Sequence, residues 1–227
     1  MPPILALLAL AALLLAALAL RLRAVLPRGL PPPRRSTPAR LGVFLGSGGH
    51  TGEMRALLSA LDAAHYTPRV YVYGAGDGMS LRAVAEVEGA LGGEGARGSE
   101  YSLLALPRAR AVGEGRLSTL LSASRTLAAA LWATFLVPLV QRPAEPWVDV
   151  LLLNGPGTAV VLVAVAYIRR VLGLTHTRII YVESFARVHS LSLTGKLLRP
   201  FVDTFVVQWP DAAGAPDPRV TYRGFLV

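Results

Sequence analysis

The sequence has 227 residues, of which 53% are hydrophobic, 16% are charged and none is cysteine; its mean hydropathy is +0.48. This length allows one full domain. Soluble proteins usually have about a quarter of charged residues, so the lower fraction here indicates a membrane protein. The lack of cysteine excludes disulfides and thiolate metal sites. The net charge of +9 comes from scattered arginines without an aromatic-interleaved basic motif, which argues against nucleic acid and favours an anionic lipid surface or a phosphorylated substrate.

The first predicted element is an N-terminal membrane helix. Ile4 to Leu20 is an uninterrupted apolar run of 17 residues, near the lower limit for a spanning helix. No Lys or Arg precedes it, which disfavours the alternative of a cleaved signal peptide. The arginines that follow it are Arg21, Arg23, Arg28, Arg34, Arg35 and Arg40. By the positive-inside rule, residues 1–26 are expected to form a single anchor with its N-terminus outside and the rest of the chain in the cytosol.

A basic, proline-rich segment follows at residues 27–39. Its sequence, PRGLPPPRRSTPA, is typical of a semi-rigid linker of polyproline character. The folded domain is therefore expected to cover residues 40–227.

The domain opens with LGVFLGSGGHTGEM, residues 41–54. Leu41 to Leu45 has strand character, and the apolar residues from Met54 onward recur at helical spacing. Strand, glycine turn and helix together can bind an anion through free backbone N–H groups. The turn lacks the lysine of a P-loop and the third glycine of the dinucleotide fingerprint. It delivers His50 to the mouth of a sheet; the alternative is a tight turn with a capping histidine.

Further strands and helices alternate along the rest of the chain. The predicted strands are residues 69–73, 101–106, 147–153, 178–182 and 203–209. The predicted helices are residues 82–88, 117–140, 159–172 and 192–199, and the glycine-rich residues 89–99 predict a loop. This alternation predicts an α/β fold with a doubly wound, parallel, Rossmann-like sheet.

The predicted helix at residues 117–140 ends in an uncharged stretch, LAAALWATFLVPLV. Its 14 residues are too few to span a bilayer. We expect a buried core helix; the alternative is a helix in the membrane interface, with Trp132 and Phe135 at headgroup depth.

Three polar turns, at residues 46–51, 154–158 and 183–187, follow predicted strands. In a doubly wound sheet ligands bind at the carboxyl ends of the strands, so these turns are expected to meet there. The candidate substrate-binding residues are Gly46, Ser47, Gly48, Gly49, Thr51, Asn154, Gly155, Gly157, Thr158, Ser184 and Arg187.

Five stretches taken in order resemble one protein family. They are LGSGGHTGEM (45–54), LPRAR (106–110), LLNGPGT (152–158), IIYVESFARVHSLSLTGKLL (179–198) and DTFVVQWP (203–210). On these motifs the chain resembles the membrane-anchoring subunit of the heteromeric UDP-N-acetylglucosamine transferase of N-glycan assembly. It departs from the family at Ala186, where cysteine is usual, and at Val160-Val161, which indicates a diverged homologue.

The resemblance implies an inverting, two-chain glycosyltransferase of the GT-B type. This chain would be the acceptor-side half, inactive alone, while a soluble catalytic subunit would supply the other half and most of the UDP-N-acetylglucosamine site. The reaction implied is addition of the second N-acetylglucosamine to dolichol-diphosphate-N-acetylglucosamine. It would take place at the cytosolic face of the endoplasmic reticulum membrane and the nuclear membrane continuous with it.

Inverting transfer needs a general base for the acceptor hydroxyl and a group that neutralises the departing diphosphate. His50 is the first candidate base, because imidazole titrates near neutral pH. Glu183 is the second, because desolvation at the end of an apolar strand would favour its protonated form; the alternative is a structural carboxylate that caps Arg187 or a helix start. No DxD motif or cluster with ligand spacing occurs, so neither a metal site nor a cofactor is predicted, and a helix N-terminus with basic side chains would neutralise the diphosphate.

The C-terminal residues 219–227, RVTYRGFLV, end on three apolar side chains. Free ends are usually polar unless they dock, and an exposed apolar end is unfavourable. Phe225, Leu226 and Val227 are therefore expected to contact the partner subunit.

Two other functions are left open by the residues. One is a purely structural membrane anchor with all catalytic residues on the partner. The other is a complete enzyme, such as a nucleotide-sugar epimerase or reductase. The single predicted sheet and the missing Tyr-x-x-x-Lys pair argue against a complete enzyme.

Overall fold

Strands and helices alternate along the computed structural model, which describes residues 3–29, 38–91, 100–109, 116–155, 157–214 and 217–227. The strands are β1 (Leu41–Leu45), β2 (Arg69–Gly74), β3 (Tyr101–Leu106), β4 (Val150–Asn154), β5 (Arg178–Val182), β6 (Thr204–Val207) and β7 (Val220–Tyr222). The helices are α1 (Pro3–Val25), α2 (Gly49–Leu58), α3 (Gly78–Leu91), α4 (Arg116–Leu131), α5 (Val137–Gln141), α6 (Thr158–Val171) and α7 (Leu193–Leu198). Residues 30–37 of the predicted linker, residues 92–99 of the predicted loop, Arg110 and Pro156 lie outside the described residues.

The seven strands form one parallel sheet in the order β3-β2-β1-β4-β5-β6-β7. Strand β1 lies between β2 and β4, so the direction of winding reverses between β1 and β4. This confirms the predicted doubly wound sheet. The carboxyl ends of β1 and β4 form its topological switch point, where ligands bind in such folds.

Two strands are shorter than predicted because their ladder partners are short. Strand β4 begins at Val150 rather than Trp147, since Val150 lies opposite Leu41, the first residue of β1. Strand β6 ends at Val207, which lies opposite Tyr222, the last residue of β7. The apolar runs were therefore longer than the paired segments they contain.

The C-terminal segment forms a strand that the sequence did not predict. Val220 to Tyr222 pairs in parallel with β6 and closes that edge of the sheet. Only three residues long, β7 gives too short a pattern for its period to identify it.

Helices cover both faces of the sheet, and β1 shows how the sequence separates them. Val43 points to one face, where it packs with Met54 of α2 and Val84 of α3. Phe44 points to the other face, where the core includes α4 and α6. Because a central parallel strand is buried on both faces, it reads as a continuous apolar run rather than an alternating one.

The predicted core helix at residues 117–140 is buried on one side only. It is formed by α4, a π-helical turn at Trp132–Leu136, and α5. The buried side chains are Thr126, Ala130, Thr134, Phe135 and Pro138. Leucines and Trp132 on the opposite side are exposed, so the expected burial in the core holds for one side of the helix. The π-turn inserts one extra residue into the helix and so keeps Thr134 and Phe135 directed at the core.

The end of α1 packs directly on the domain. Arg21 donates from Nε to the carbonyl of Val171 at 2.9 Å and from Nη2 to that of Arg170 at 3.3 Å. These carbonyls belong to the last turn of α6, where the helix dipole favours a cation. Leu22, Val25 and Leu26 pack against the core on this face. The helix thus contacts the domain before the predicted linker begins.

Asp217 fixes the turn that leads into β7. Its carboxylate accepts hydrogen bonds from the backbone N–H and the guanidinium of Arg219, and from Nε of Arg199 at 3.3 Å. The side-chain hydrogen bonds from Arg219 are the main reason why the pKa of Asp217 is lowered from 3.8 to about 2. The charged form of Asp217 therefore stabilises the folded edge of the sheet.

Replacing Asp217 with Asn should lower the free energy of unfolding at neutral pH by about 1.5–3 kcal/mol, the range for hydrogen bonds to charged groups. Because the pKa is lower in the folded chain, this stabilisation is present above 3.8 and is lost as the pH falls towards about 2. Urea unfolding of both proteins in detergent at a series of pH values should show the difference closing over that interval. A difference that stays constant to the acid end would contradict this account.

Candidate active site

The three predicted turns meet at the carboxyl ends of β1, β4 and β5, which are adjacent strands. The first turn runs from Gly46 into α2, the second from Asn154 into α6, and the third begins at Glu183. Hydrogen bonds between side chains join all three turns.

Two glycines give the first turn its shape. A Cβ on Gly46 would lie 2.8 Å from the Cβ of His50, closer than two such atoms approach. Gly48 directly precedes α2 and has a φ of 67°, a positive value that glycine adopts without the strain a side chain would bring. His50 therefore lies in the first turn of α2 with its side chain over Gly46, while Ser47 and Gly49 are exposed.

Thr51 faces the interior. It is 3% exposed, its hydroxyl donates to the carbonyl of Gly46, and it lies 3.2 Å from the hydroxyl of Ser80 on α3. Although predicted among the substrate-binding residues, Thr51 holds the glycine turn in place from inside.

A chain of hydrogen bonds runs from His50 through Asn154 to Glu53. His50 Nδ1 lies 2.8 Å from Asn154 Oδ1, and Asn154 Nδ2 donates to Glu53 Oε2 at 2.8 Å. The other carboxylate oxygen of Glu53 accepts from the Ser184 hydroxyl at 2.7 Å. Side chains of the three turns and Glu53 of α2 thus hold one another in fixed orientations.

Glu53 determines which nitrogen of His50 carries the proton. An ionised carboxylate only accepts hydrogen bonds, so the Asn154 amide must turn its NH₂ group to Glu53 and its oxygen to His50. Nδ1 of His50 is then the donor, and Nε2 of the neutral ring carries the lone pair. Since His50 is only partly buried, this arrangement can present Nε2 as a proton acceptor.

Glu53 was missed by the sequence reasoning. Its position three residues after His50, on the same side of α2, was the signal that could have found it. Its hydrogen-bond partners lie 101 and 131 residues away, and no local pattern connects them.

The second turn also depends on glycine. Gly155 has a φ of 106°, and a Cβ there would lie 3.2 Å from Cγ of His50. Its carbonyl accepts from the hydroxyl of Tyr181 at 3.3 Å; burial raises the pKa of this tyrosine, so it stays protonated and donates. Gly157 precedes α6, and the Thr158 hydroxyl accepts from the N–H of Ala109 at 3.4 Å.

Glu183 is buried, and its carboxylate accepts hydrogen bonds from neighbouring residues. It is 1% exposed and accepts from the N–H of Ser184 at 3.0 Å, and from the N–H and hydroxyl of Ser192 at 3.0 and 3.1 Å. Ser192 is the N-cap of α7. These contacts match the alternative of a carboxylate at a helix start. Arg187 is exposed and donates its backbone N–H to the carbonyl of Ser184.

The C-terminal tail packs beside the third turn. The ring of Phe225 lies 5.8 Å from that of Phe185 and 4.7 Å from that of Trp209. The N–H of Leu226 donates to Gln208 Oε1 at 3.2 Å. Phe225 nevertheless remains 60% exposed, so most of its surface is left uncovered by these contacts.

The sequence matches one family and several curated proteins. The family model described as oligosaccharide biosynthesis protein Alg14 like matches residues 41–226. The UDP-N-acetylglucosamine transferase subunit ALG14 of Cryptococcus neoformans is 58% identical, over 82% of this chain and 80% of that protein. The Schizosaccharomyces pombe subunit is 43% identical over 75% and 76% of the two chains, and the rat subunit 38% identical over 99% of each.

The fold is also found in a solved structure. The crystal structure of Acinetobacter baumannii MurG matches with a TM-score of 0.52 and 14% identity over 82% of this chain. The match covers 45% of the MurG chain, so this chain spans less than half of that protein.

When its imidazole ring is neutral, His50 should carry its proton on Nδ1, because the Asn154 side-chain oxygen lies where it can accept from Nδ1. Long-range nitrogen–proton correlation spectra, which distinguish the two tautomers, should show this form in the wild type and lose it in Asn154→Leu. The control is Ser184→Ala, which removes a hydrogen bond to Glu53 but none to His50 or Asn154. A wild-type ring protonated at Nε2 would refute the assignment.

Proposed function

The chain belongs to the Alg14-like family of oligosaccharide biosynthesis proteins, and we infer that it is a subunit of a UDP-N-acetylglucosamine transferase. The observation that carries this inference is 58% identity to a curated subunit over four fifths of both chains. The parallel sheet of GT-B type agrees with it.

We propose that the acceptor is dolichol-diphosphate-N-acetylglucosamine and that this chain binds it while a soluble partner subunit contributes most of the UDP-N-acetylglucosamine site. The names of the similar proteins describe each as a subunit of the transferase, which supports an enzyme divided between chains. We therefore expect the chain to be inactive alone.

The membrane side of the proposal rests on α1. Its residues Ile4–Val25 are long and apolar enough to cross a bilayer, and none of its most apolar stretch is buried by the domain. We propose that α1 anchors the subunit in the endoplasmic reticulum membrane, with the domain on the cytosolic side. The arginines that follow the apolar run support this orientation.

His50 is the proposed general base. Its Nδ1 is held by Asn154, so Nε2 can take the proton from the acceptor 4-hydroxyl as that oxygen attacks the anomeric carbon. Glu53 supports the imidazolium that forms, because its carboxylate lies 3.9 Å from Nδ1. Glu183 has its carboxylate filled by three donors, and we propose a structural role for it.

The departing diphosphate would be neutralised by the backbone and by basic side chains. The N-termini of α2 and α6 both open on this edge of the sheet, next to the glycine turns. Arg187 is exposed in the third turn, which follows β5. We propose that the exposed turn residues Ser47, Gly48 and Gly49 approach substrate directly, while Asn154 and Ser184 orient other groups.

A purely structural anchor is the other candidate, and no observation favours it. A protein that only recruits a partner has no use for a histidine whose tautomer is set by two further residues. The hydrogen-bond chain through Asn154 and Glu53 is what a base requires.

Replacing His50 with Ala should reduce turnover of the assembled enzyme about 10²–10⁴-fold, the usual contribution of general acid–base catalysis. Binding of the lipid acceptor should be retained. The assay uses the reconstituted two-subunit enzyme, after co-purification has shown that the variant still assembles.

The control for this loss is His65→Ala, because His65 lies in the loop before β2, where the strands begin. It should keep wild-type turnover. If His50→Ala stays within a few-fold of wild type, the base lies elsewhere. In that case Glu183→Gln is assayed next. Loss of turnover would place the base at Glu183, and retained turnover would place it on the partner.

Deleting Phe225–Val227 should weaken association with the partner by one to two orders of magnitude for each side chain that the interface buries, about 1.5–3 kcal/mol apiece. The exposed ring of Phe225 has uncovered surface for such burial. Affinity measured by titration of the partner would test this. A matched control is Leu103→Ala, since Leu103 is 48% exposed on the opposite edge strand, β3. Undiminished affinity of the truncated chain would mean that the tail packs on its own domain alone.

A further inference from the structure

An apolar surface on α4 and α5 is left uncovered by the domain. It is formed by side chains that are between 37% and 84% exposed, and we call it the outer face: Leu120, Leu121, Leu127, Trp132, Leu136 and Val140. Among the exposed residues from 118 to 140, the only charged one is Arg125. An uncharged apolar strip of this length is unusual on a surface that meets only water.

The helix that carries the outer face is fixed to the domain by its other side. The Thr126 hydroxyl donates to the carbonyl of Pro107, just after β3, and Phe135 belongs to the core. Residues Ser118–Gln141 are long and apolar enough to span a membrane, but doing so would pull this buried stripe out of the domain. The helix therefore has one side packed on the domain and one side exposed.

The outer face runs from the candidate active site towards the anchor. Thr126 of α4 bonds the carbonyl of Pro107, and two residues on, the N–H of Ala109 bonds Thr158 at the first turn of α6. Beyond its end, Arg169 in the last turn of α6 donates to the carbonyl of Pro143 at 2.9 Å. The outer face therefore lies alongside α6 and runs in the same direction.

The contacts of α1 with the domain do not by themselves bring the candidate site to the membrane. Arg21 attaches α1 to the end of α6 that lies at the amino ends of the strands. The candidate active site lies at the opposite end of α6, which has 14 residues and is thus about 21 Å long. A second membrane contact near the start of α6 would hold the carboxyl edge of the sheet at the bilayer.

We propose that the outer face lies in the interface of the membrane that α1 enters, parallel to its surface. Trp132 then sits at headgroup depth, the leucines reach the acyl boundary, and Arg125 extends to the headgroups. With both ends of α6 at the bilayer, His50 faces the depth at which a lipid-linked diphosphate is exposed. That this placement would help catalysis rests on the proposed function. The membrane contact of the outer face does not depend on that function.

Continuity with α1 favours lipid over a protein as the occupant. The anchor and the outer face both adjoin α6 on one face of the sheet, so a bilayer that receives the first lies next to the second. The apolar tail proposed to bind the partner follows β7, at the edge of the sheet opposite β3. The outer face is thus free for the membrane while the partner is bound.

The test measures where single residues lie in the full chain. The sequence has no cysteine, so Leu120→Cys, Leu136→Cys and Val140→Cys each give one site for a nitroxide label. The controls are Met79→Cys on α3, which is exposed on the other face of the sheet, and Ala130→Cys on the buried side of α4. The labelled chains are reconstituted in vesicles of phosphatidylcholine and phosphatidylserine, and relaxation by oxygen, which concentrates in lipid, is compared with relaxation by a water-soluble nickel chelate.

We expect the ratio of oxygen to nickel accessibility to be severalfold higher at the three outer-face sites than at Met79. A ratio equal to that of Met79 would overturn the proposal. So would loss of both accessibilities on addition of the partner subunit, which would make the outer face a protein interface. Lipid accessibility at Ala130 equal to that at Leu136 would also overturn it, since the helix would then span. No turnover is measured, so a failed contact and a failed glycosyltransferase assignment are distinguishable.

Discussion

The carboxylate of Glu53 is the group on which the arrangement of the site depends. It accepts from Asn154 on one oxygen and from Ser184 on the other, so a residue of α2 ties together the ends of β4 and β5. Because it can only accept, it leaves the Asn154 amide one orientation and His50 one tautomer. A single carboxylate thus links the three turns through hydrogen bonds at the switch point of the sheet.

The sequence predicted the sheet well because central parallel strands are continuous apolar runs. Strands β3 and β5 were predicted at their observed bounds, and the doubly wound parallel sheet followed from the alternation of elements. The edge strand β7 was missed, since three residues carry no readable period. The sequence did not show which side of the helix at residues 117–140 faces the core, because its uncharged end has no charged side chain to mark the solvent side.

The candidate site was only partly readable for a different reason. His50, Asn154 and Ser184 each stand in a turn after a strand, and the topology of a doubly wound sheet brings such turns together. Glu53 lies inside a helix, where acidic residues are usually solvated, and its function depends on partners in two distant turns. The role of Glu183 depends equally on Ser192, whose position at a helix start no spacing rule connects to a strand end.

The proposed interface and the proposed site are neighbours in this fold. Phe225 packs on Phe185, and Phe185 follows Ser184, which bonds Glu53. The Gln208 side chain links the same parts, since its amide donates to the carbonyl of Glu183 and its oxygen accepts from Leu226. An active site divided between two chains needs the surface that recruits the partner to border the groups that act on substrate. Here the contact of Phe225 with Phe185 and the amide of Gln208 connect the tail to the third turn. Through Ser184 and Glu53, that turn helps to orient the proposed base.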